Sequence, residues 1–273
     1  MQYFKNIESK PVSIRLIVFL LLLTISWIPF AVPISLLFNN NPNLVTIMTM
    51  GLLFILFIFL QRWWGKYLYQ KSNIFRDYGL KTNKLSLIYL IKGLAIGFCF
   101  CWALFITEAI FGWITISNNS DFLLKVVLEG LLSALLIALA EELVFRGWVL
   151  YELEQDCRKS TALWISSLIF AIAHFLKPIG EIIRTLVTFP ALFLLGAILV
   201  LAKRANKNYL TICIGIHAGL VWGYYILNVG NLVTYTNTVP NCITGIDNNP
   251  IAGVLGLSFL SILALVIGNK ASS

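Results

Sequence analysis

The sequence predicts an all-α integral membrane protein, a bundle of about eight transmembrane helices. Three observations carry that prediction. The chain is 59% hydrophobic and only 12% charged, with a mean hydropathy of +0.86. Soluble domains hold roughly 45–50% apolar and about 25% charged residues. Several apolar runs reach the ~20 residues that a helix needs to cross ~30 Å of hydrocarbon. The runs are also long and unalternating, unlike barrel strands, so only helices can satisfy their backbone in lipid. The formal charge of +8 is spread over short segments between apolar runs. That pattern fits a positive-inside bias and predicts no nucleic-acid partner.

The expected spans are residues 14–38, 43–61, 86–116, 123–150, 161–176, 182–202, 209–228 and 250–268. The first apolar run, Leu16 to Phe38, exceeds the 7–15 residues of a signal-peptide core and reads as a retained span. The third and fourth are long enough to tilt or to project beyond the lipid. Pro190 is expected to kink the sixth. The five cysteines show no zinc-finger or disulfide spacing, and three of them sit in apolar runs as small hydrophobes. No repeat or linker divides the chain, so residues 1–273 read as one integral domain.

Orientation follows from the connections. Lys and Arg concentrate in the N-terminal segment (Lys5, Lys10, Arg15), in residues 61–84, at Arg158 and Lys159, in "KRANK" from Lys203, and at Lys270. The alternate set is poor in them: "NNNPN", "SNNSD" with Lys125, the segment with Lys177 and Arg184, and "TNTVPNCITGIDNNP". Both termini are therefore expected on the cytoplasmic side of the membrane. Trp63 and Trp64 fit an interfacial aromatic belt.

Ionisable residues inside the spans carry the functional information. In "LLIALAEELVFRGWVLYEL" the side chains of Glu141, Glu142 and Arg146 interrupt an apolar run. One charge at a span centre costs about 2.5–3.5 kcal/mol on insertion scales, so the three must face protein or a wet cavity. Glu142 and Arg146 are four apart and can pair on one helix face. Glu141 points ~100° away and lacks an intrahelical partner. The only two histidines, His174 and His217, also lie in spans. Glu141 precedes Cys157 by as many residues as His174 follows Arg158. In a regular antiparallel hairpin the two side chains stand level, ~24 Å from the turn. His217 can reach the same level from the next-but-one span.

Two chemistries suit this set. Glu141, His174 and His217 could ligate zinc with an open fourth position, although Arg146 would compete with a cation there. Alternatively, a carboxylate and a neutral His hold and deprotonate a water while the second His stabilises an oxyanion. That version needs no cofactor. Ser166 and Ser167 are too far along the helix from His174 to act as a nucleophile with it.

The motifs resemble those of the CPBP intramembrane protease family, also called the Abi family. It includes type II CAAX prenyl endopeptidases and bacteriocin-processing or immunity proteins. "EELVFRG" (Glu141, Glu142, Phe145, Arg146, Gly147) is similar to its E-E-x-x-x-R motif. "FAIAH", Phe170 to His174, is similar to F-x-x-x-H, and "HAGLV" from His217 to its third motif. The resemblance covers about residues 122–228 as a catalytic core, with variable helices in 1–121 and a loop and last helix in 229–273.

The resemblance implies a membrane endopeptidase with its site in a cavity open to the cytoplasm. Glu141 and His174 would activate water, His217 would support the oxyanion, and Glu142, Arg146 and Phe170 would support the site. The substrate would be a membrane protein or peptide, lipidated in part of the family. Four residues after His217 the family carries Asn or Asp, whereas this chain has Val221. Trp222, Tyr224, Tyr225 or a water then takes the donor role, or the stabilisation is weaker. A non-catalytic scaffold or immunity protein of the same fold is the alternative, and a proton-coupled transporter a more distant one. Lys92 is expected to snorkel to the cytoplasmic face, and Glu108 and Glu129 to be solvated at helix ends.

Overall fold

The computed structural model describes residues 7–117, 123–246 and 249–272. Lys5, the "NNSD" part of the third connection and residues 247–248 of the last one lie outside them. Seven described helical stretches are long and apolar enough to cross a membrane. The expected fifth span forms only a helix of 15 residues, Lys159–Ala173. At 1.5 Å per residue that is about 22 Å, short of the hydrocarbon thickness. Lys177-Pro178 follows within a few residues, and the residue before a proline is pushed out of the helical region.

In chain order the helices are α1 Val12–Leu37, α2 Pro42–Tyr67, α3 Ile74–Asp77, α4 Lys84–Ile110 and α5 Leu123–Glu142. A π-helical segment, Leu143–Val149, joins α5 to α6 Leu150–Asp156. There follow α7 Lys159–Ala173, α8 Ile179–Thr185, α9 Phe189–Ala205, α10 Leu210–Val229, α11 Asn241–Thr244 and α12 Val254–Ser272. Two three-residue strands, β1 Ile114–Ile116 and β2 Val233–Tyr235, pair antiparallel with Ile114 opposite Tyr235. They tie together the loops that follow α4 and α10. Pro190 lies inside the candidate span Ile179–Ala205, and the helix there is interrupted just before it. A 3-10 turn, Leu186–Thr188, precedes α9, and Pro190 occupies the first turn of α9, where the missing N–H costs nothing.

The chain forms two compact units. The first holds residues 1–77 and 151–157, the second 78–150 and 158–273. The first unit is organised around Glu152, which is fully buried. Its carboxylate accepts hydrogen bonds from Arg15 Nε (2.8 Å), Trp64 Nε1 (3.1 Å) and Tyr69 Oη (2.6 Å). Arg15 also pairs with Asp156 at 3.1 Å. Burial, followed by the Glu152 charge, pushes the Tyr69 hydroxyl pKa up. Trp64 is therefore not the belt residue its position suggests, since it packs edge-on against Phe19 and binds a buried carboxylate.

The second unit is built on the contact of α4 with α10. Gly93 and Gly97 of α4 face Gly215 and Gly219 of α10. A Cβ built at any of the four would lie 2.1–2.4 Å from a backbone carbonyl oxygen of the facing helix. Small residues four apart let two helices meet backbone to backbone, which is how helices associate where lipid supplies no hydrophobic drive. His217 lies between Gly215 and Gly219, so its height and direction are set by this contact.

Replacing Gly97 by Leu should cost stability at the upper end of the ~1–3 kcal/mol seen for overpacking, because the collision is with backbone. Thermal unfolding of the purified variant in detergent measures it. An unchanged midpoint would show that the helices meet differently.

Candidate functional site

Glu141 and Glu142 are the last residues of α5, and Arg146 lies in the π-helical segment that follows. The regular helix expected across 123–150 is thus widened at the motif itself, a feature that recurs at functional sites. Lys203 of α9 donates to the Arg146 carbonyl at 2.6 Å. The widened turn is thereby held by a buried cation from another helix.

Arg146 Nη1 donates to Glu142 Oε1 at 2.9 Å, as the i, i+4 spacing predicts. The same oxygen also bonds His217 Nδ1 at 2.8 Å. Glu142 is therefore a two-way holder, not half of an isolated pair. Arg146 Nη2 reaches the Gly196 carbonyl at 3.4 Å, and its guanidinium lies 4.0 Å from the centroid of the Phe170 ring. The Phe170 ring also meets the His174 ring edge to face, with centroids 4.5 Å apart. Glu142 and Arg146 are buried, with side chains 0% and 1% exposed.

Glu141 and His174 do stand level. Glu141 Oε2 lies 3.7 Å from His174 Nε2 and 4.0 Å from His217 Nε2. Their side chains are 33% and 31% exposed, against 9% for His217. Glu141 Oε2 itself has no hydrogen-bond partner. The structure thus brings together Glu141, His174 and His217 over Glu142, Arg146 and Phe170.

The hydrogen bonds assign the imidazole protons. His174 Nδ1 lies 2.8 Å from the Phe170 carbonyl, which can only accept. His217 Nδ1 faces a carboxylate. Both Nδ1 atoms carry the proton, and in the neutral rings both Nε2 atoms turn lone pairs toward Glu141. Among the described residues, no cluster of three or more His, Cys, Asp or Glu is placed to hold a metal ion.

A cavity of about 270 Å³ opens beside His174 and His217. Its walls are largely apolar, with Phe100, Leu104, Leu195 and Leu220 among them. Val221 and Tyr224 line it, whereas Trp222 is committed elsewhere, donating to the Val127 carbonyl at 2.9 Å. Tyr225 lies against Gly130 of α5. Of the three aromatic side chains considered as substitutes for the residue at 221, only Tyr224 faces the cavity.

The segment carrying this geometry, residues 123–235, matches the family model described as type II CAAX prenyl endopeptidase Rce1-like. The match covers this segment, less than half of the chain, and agrees with the resemblance that the motifs carry. No curated protein and no solved structure matches the chain. The Rce1-like segment includes every site residue named from the sequence and ends with β2. Sequence reading missed two polar residues of this region. Asn249, outside the Rce1-like segment, lines the cavity, and Lys203 holds the motif backbone. Neither carries a motif signal; only the fold moves them to the site.

One bland expectation changes and another holds. Glu108 is not a solvated helix end, since it is fully buried and neither carboxylate oxygen has a hydrogen-bond partner. Glu129 is exposed and pairs with Lys125 at 3.7 Å, as solvation at a helix end implies. The serines are committed to carbonyls, Ser166 to Phe145 and Ser167 to Leu163.

Arg146→Met should lower stability by about 3–5 kcal/mol, because it leaves the Glu142 carboxylate buried without its cation. The double variant Glu142→Leu/Arg146→Met should recover part of the loss. Thermal unfolding of both variants tests this, and a double variant less stable than Arg146→Met alone would show that the pair does not act as a unit.

Proposed function

We propose that this membrane-embedded protein of a CAAX-protease family is an endopeptidase that hydrolyses a peptide bond with a water activated by Glu141 and His174. The observation carrying the proposal is the approach of Glu141 Oε2 to His174 Nε2 at 3.7 Å beside an apolar cavity. One water oxygen fits ~2.8 Å from both atoms. It donates to the carboxylate and to the imidazole lone pair, and turns its own lone pair toward a carbonyl carbon. Glu141 takes the proton as the C–O bond forms and returns it to the leaving amine.

In this reading His217 donates to the oxyanion. Its Nδ1 proton is committed to Glu142, so Nε2 donates only when the ring carries both protons. The Glu142 carboxylate offsets that imidazolium charge, and Arg146 fixes the carboxylate in turn. Glu142 and Arg146 are positioning residues, because neither reaches the cavity. Val221 offers no second donor, which leaves Tyr224 and Asn249 as the polar side chains on that wall.

The substrate follows from the cavity and the membrane. It is a membrane-associated protein or peptide whose residues beside the cleaved bond are apolar. The basic ends of the helices face the cytoplasm in this reading, and both termini lie there.

Glu141→Gln and His174→Ala should each lower cleavage of a membrane substrate by at least about 10³-fold without shifting the melting temperature. Comparing membrane peptides from cells with the wild-type and Glu141→Gln proteins identifies the products. Full activity in the Glu141→Gln protein would overturn the proposal. Val221→Asn adds a donor and should raise kcat, because one such donor is worth about 10²–10³-fold where measured. Activity should also survive dialysis against a strong chelator, with metal content followed by elemental analysis; loss on chelation and recovery with zinc would replace the carboxylate mechanism by a metal one.

A further inference from the structure

A second cavity, of about 240 Å³, lies away from the proposed active site, between α4, α9, α10 and α12. Most of its wall is aliphatic, with Ile96, Ile212, Ile216, Leu263 and Ile267 among the side chains. At one end stand two lysines, Lys92 of α4 and Lys270 in the last turn of α12, together with Asn206 at the end of α9. The two ammonium groups are close enough to interact with each other. None of the residues lining this cavity is acidic.

Two like charges brought together repel, and an anion between them removes the repulsion. The apolar wall leads away from the lysines. Ile96 is one turn further along α4 than Lys92, and Ile267 and Leu263 run back along α12 from Lys270. The site therefore has a cationic head and a hydrocarbon tail. It lies at the end of the bundle where Lys203 and Arg204 close α9. Snorkelling alone, expected for Lys92, explains one lysine reaching for water. It does not explain two reaching for the same place.

The geometry points to a binding site for one anionic glycerophospholipid, its phosphate between Lys92 and Lys270 and an acyl chain along Ile96, Leu263 and Ile216. Anionic lipids are attracted to clustered basic residues at a membrane surface, and basic pockets between helices take their headgroups. The shape argues for a lipid over a free anion, because phosphate alone would leave the aliphatic wall unfilled.

The test is native mass spectrometry with thermal unfolding of the full-length protein, delipidated in a neutral detergent. The probes are dioleoyl phosphatidylglycerol, dioleoyl phosphatidylcholine and inorganic phosphate. The wild type should retain one phosphatidylglycerol roughly tenfold more tightly than phosphatidylcholine, with a rise in melting temperature. The Lys92→Gln/Lys270→Gln variant should lose that preference, and the Lys66→Gln/Lys71→Gln control should keep it. If the double variant does not fold, Lys270→Gln alone should lose most of the preference. Equal binding of the two lipids, an unchanged preference in the lysine variants, or full stabilisation by inorganic phosphate alone would each overturn the assignment.

Discussion

The site depends on a single buried oxygen. Glu142 Oε1 accepts from Arg146 and from His217 at 2.9 and 2.8 Å. A carboxylate in so dry a place is tolerable only when its charge is met. Meeting that condition fixes two other side chains. Arg146 is held over the Phe170 ring, which abuts the His174 ring, and the Phe170 carbonyl accepts a hydrogen bond from His174 Nδ1. His217 is turned so that its other nitrogen faces Glu141. Three helices are thereby registered to one another by one acidic residue that does not itself reach the cavity.

Such registration works only if the backbones are already close. The glycines of α4 and α10 supply that closeness, since any side chain at those positions would strike a carbonyl of the facing helix. Lipid gives no hydrophobic reason for two apolar helices to associate, so packing and polar bonds must do it. The same logic organises the first unit, where Glu152 gathers Arg15, Trp64 and Tyr69. Each unit thus contains a buried carboxylate with several donors. One of them, Glu142, bonds a histidine of the cavity wall and adjoins a second, partly exposed carboxylate.

The two adjacent carboxylates differ through environment alone. Glu142 is sealed and bonded through Oε1 to Arg146 and His217, while Glu141, one residue earlier, is a third exposed and has no such donor on Oε2. A helix turns ~100° per residue, and that rotation separates a charge bonded to Arg146 from one turned toward the two imidazoles.

The sequence by itself determined the membrane setting, the helical class and the motif residues. Long apolar runs admit no other backbone, and charges inside them must have a purpose because their insertion is costly. It also determined the Glu142–Arg146 pair, since i, i+4 spacing is a local property, and the level placement of Glu141 and His174, since residue counts from a shared turn measure height. Tertiary structure decided the rest. It joined His217 to Glu142, widened the motif helix into a π segment, committed Trp222 and left Tyr224 facing the cavity. It buried Trp64 and Glu108 against expectation, and brought Lys203, Asn249 and the lysine pair to their places. Those outcomes depend on which helix faces which, and that choice is made by glycines and buried polar bonds between residues far apart in the chain. Hydropathy and spacing along one helix carry no record of it.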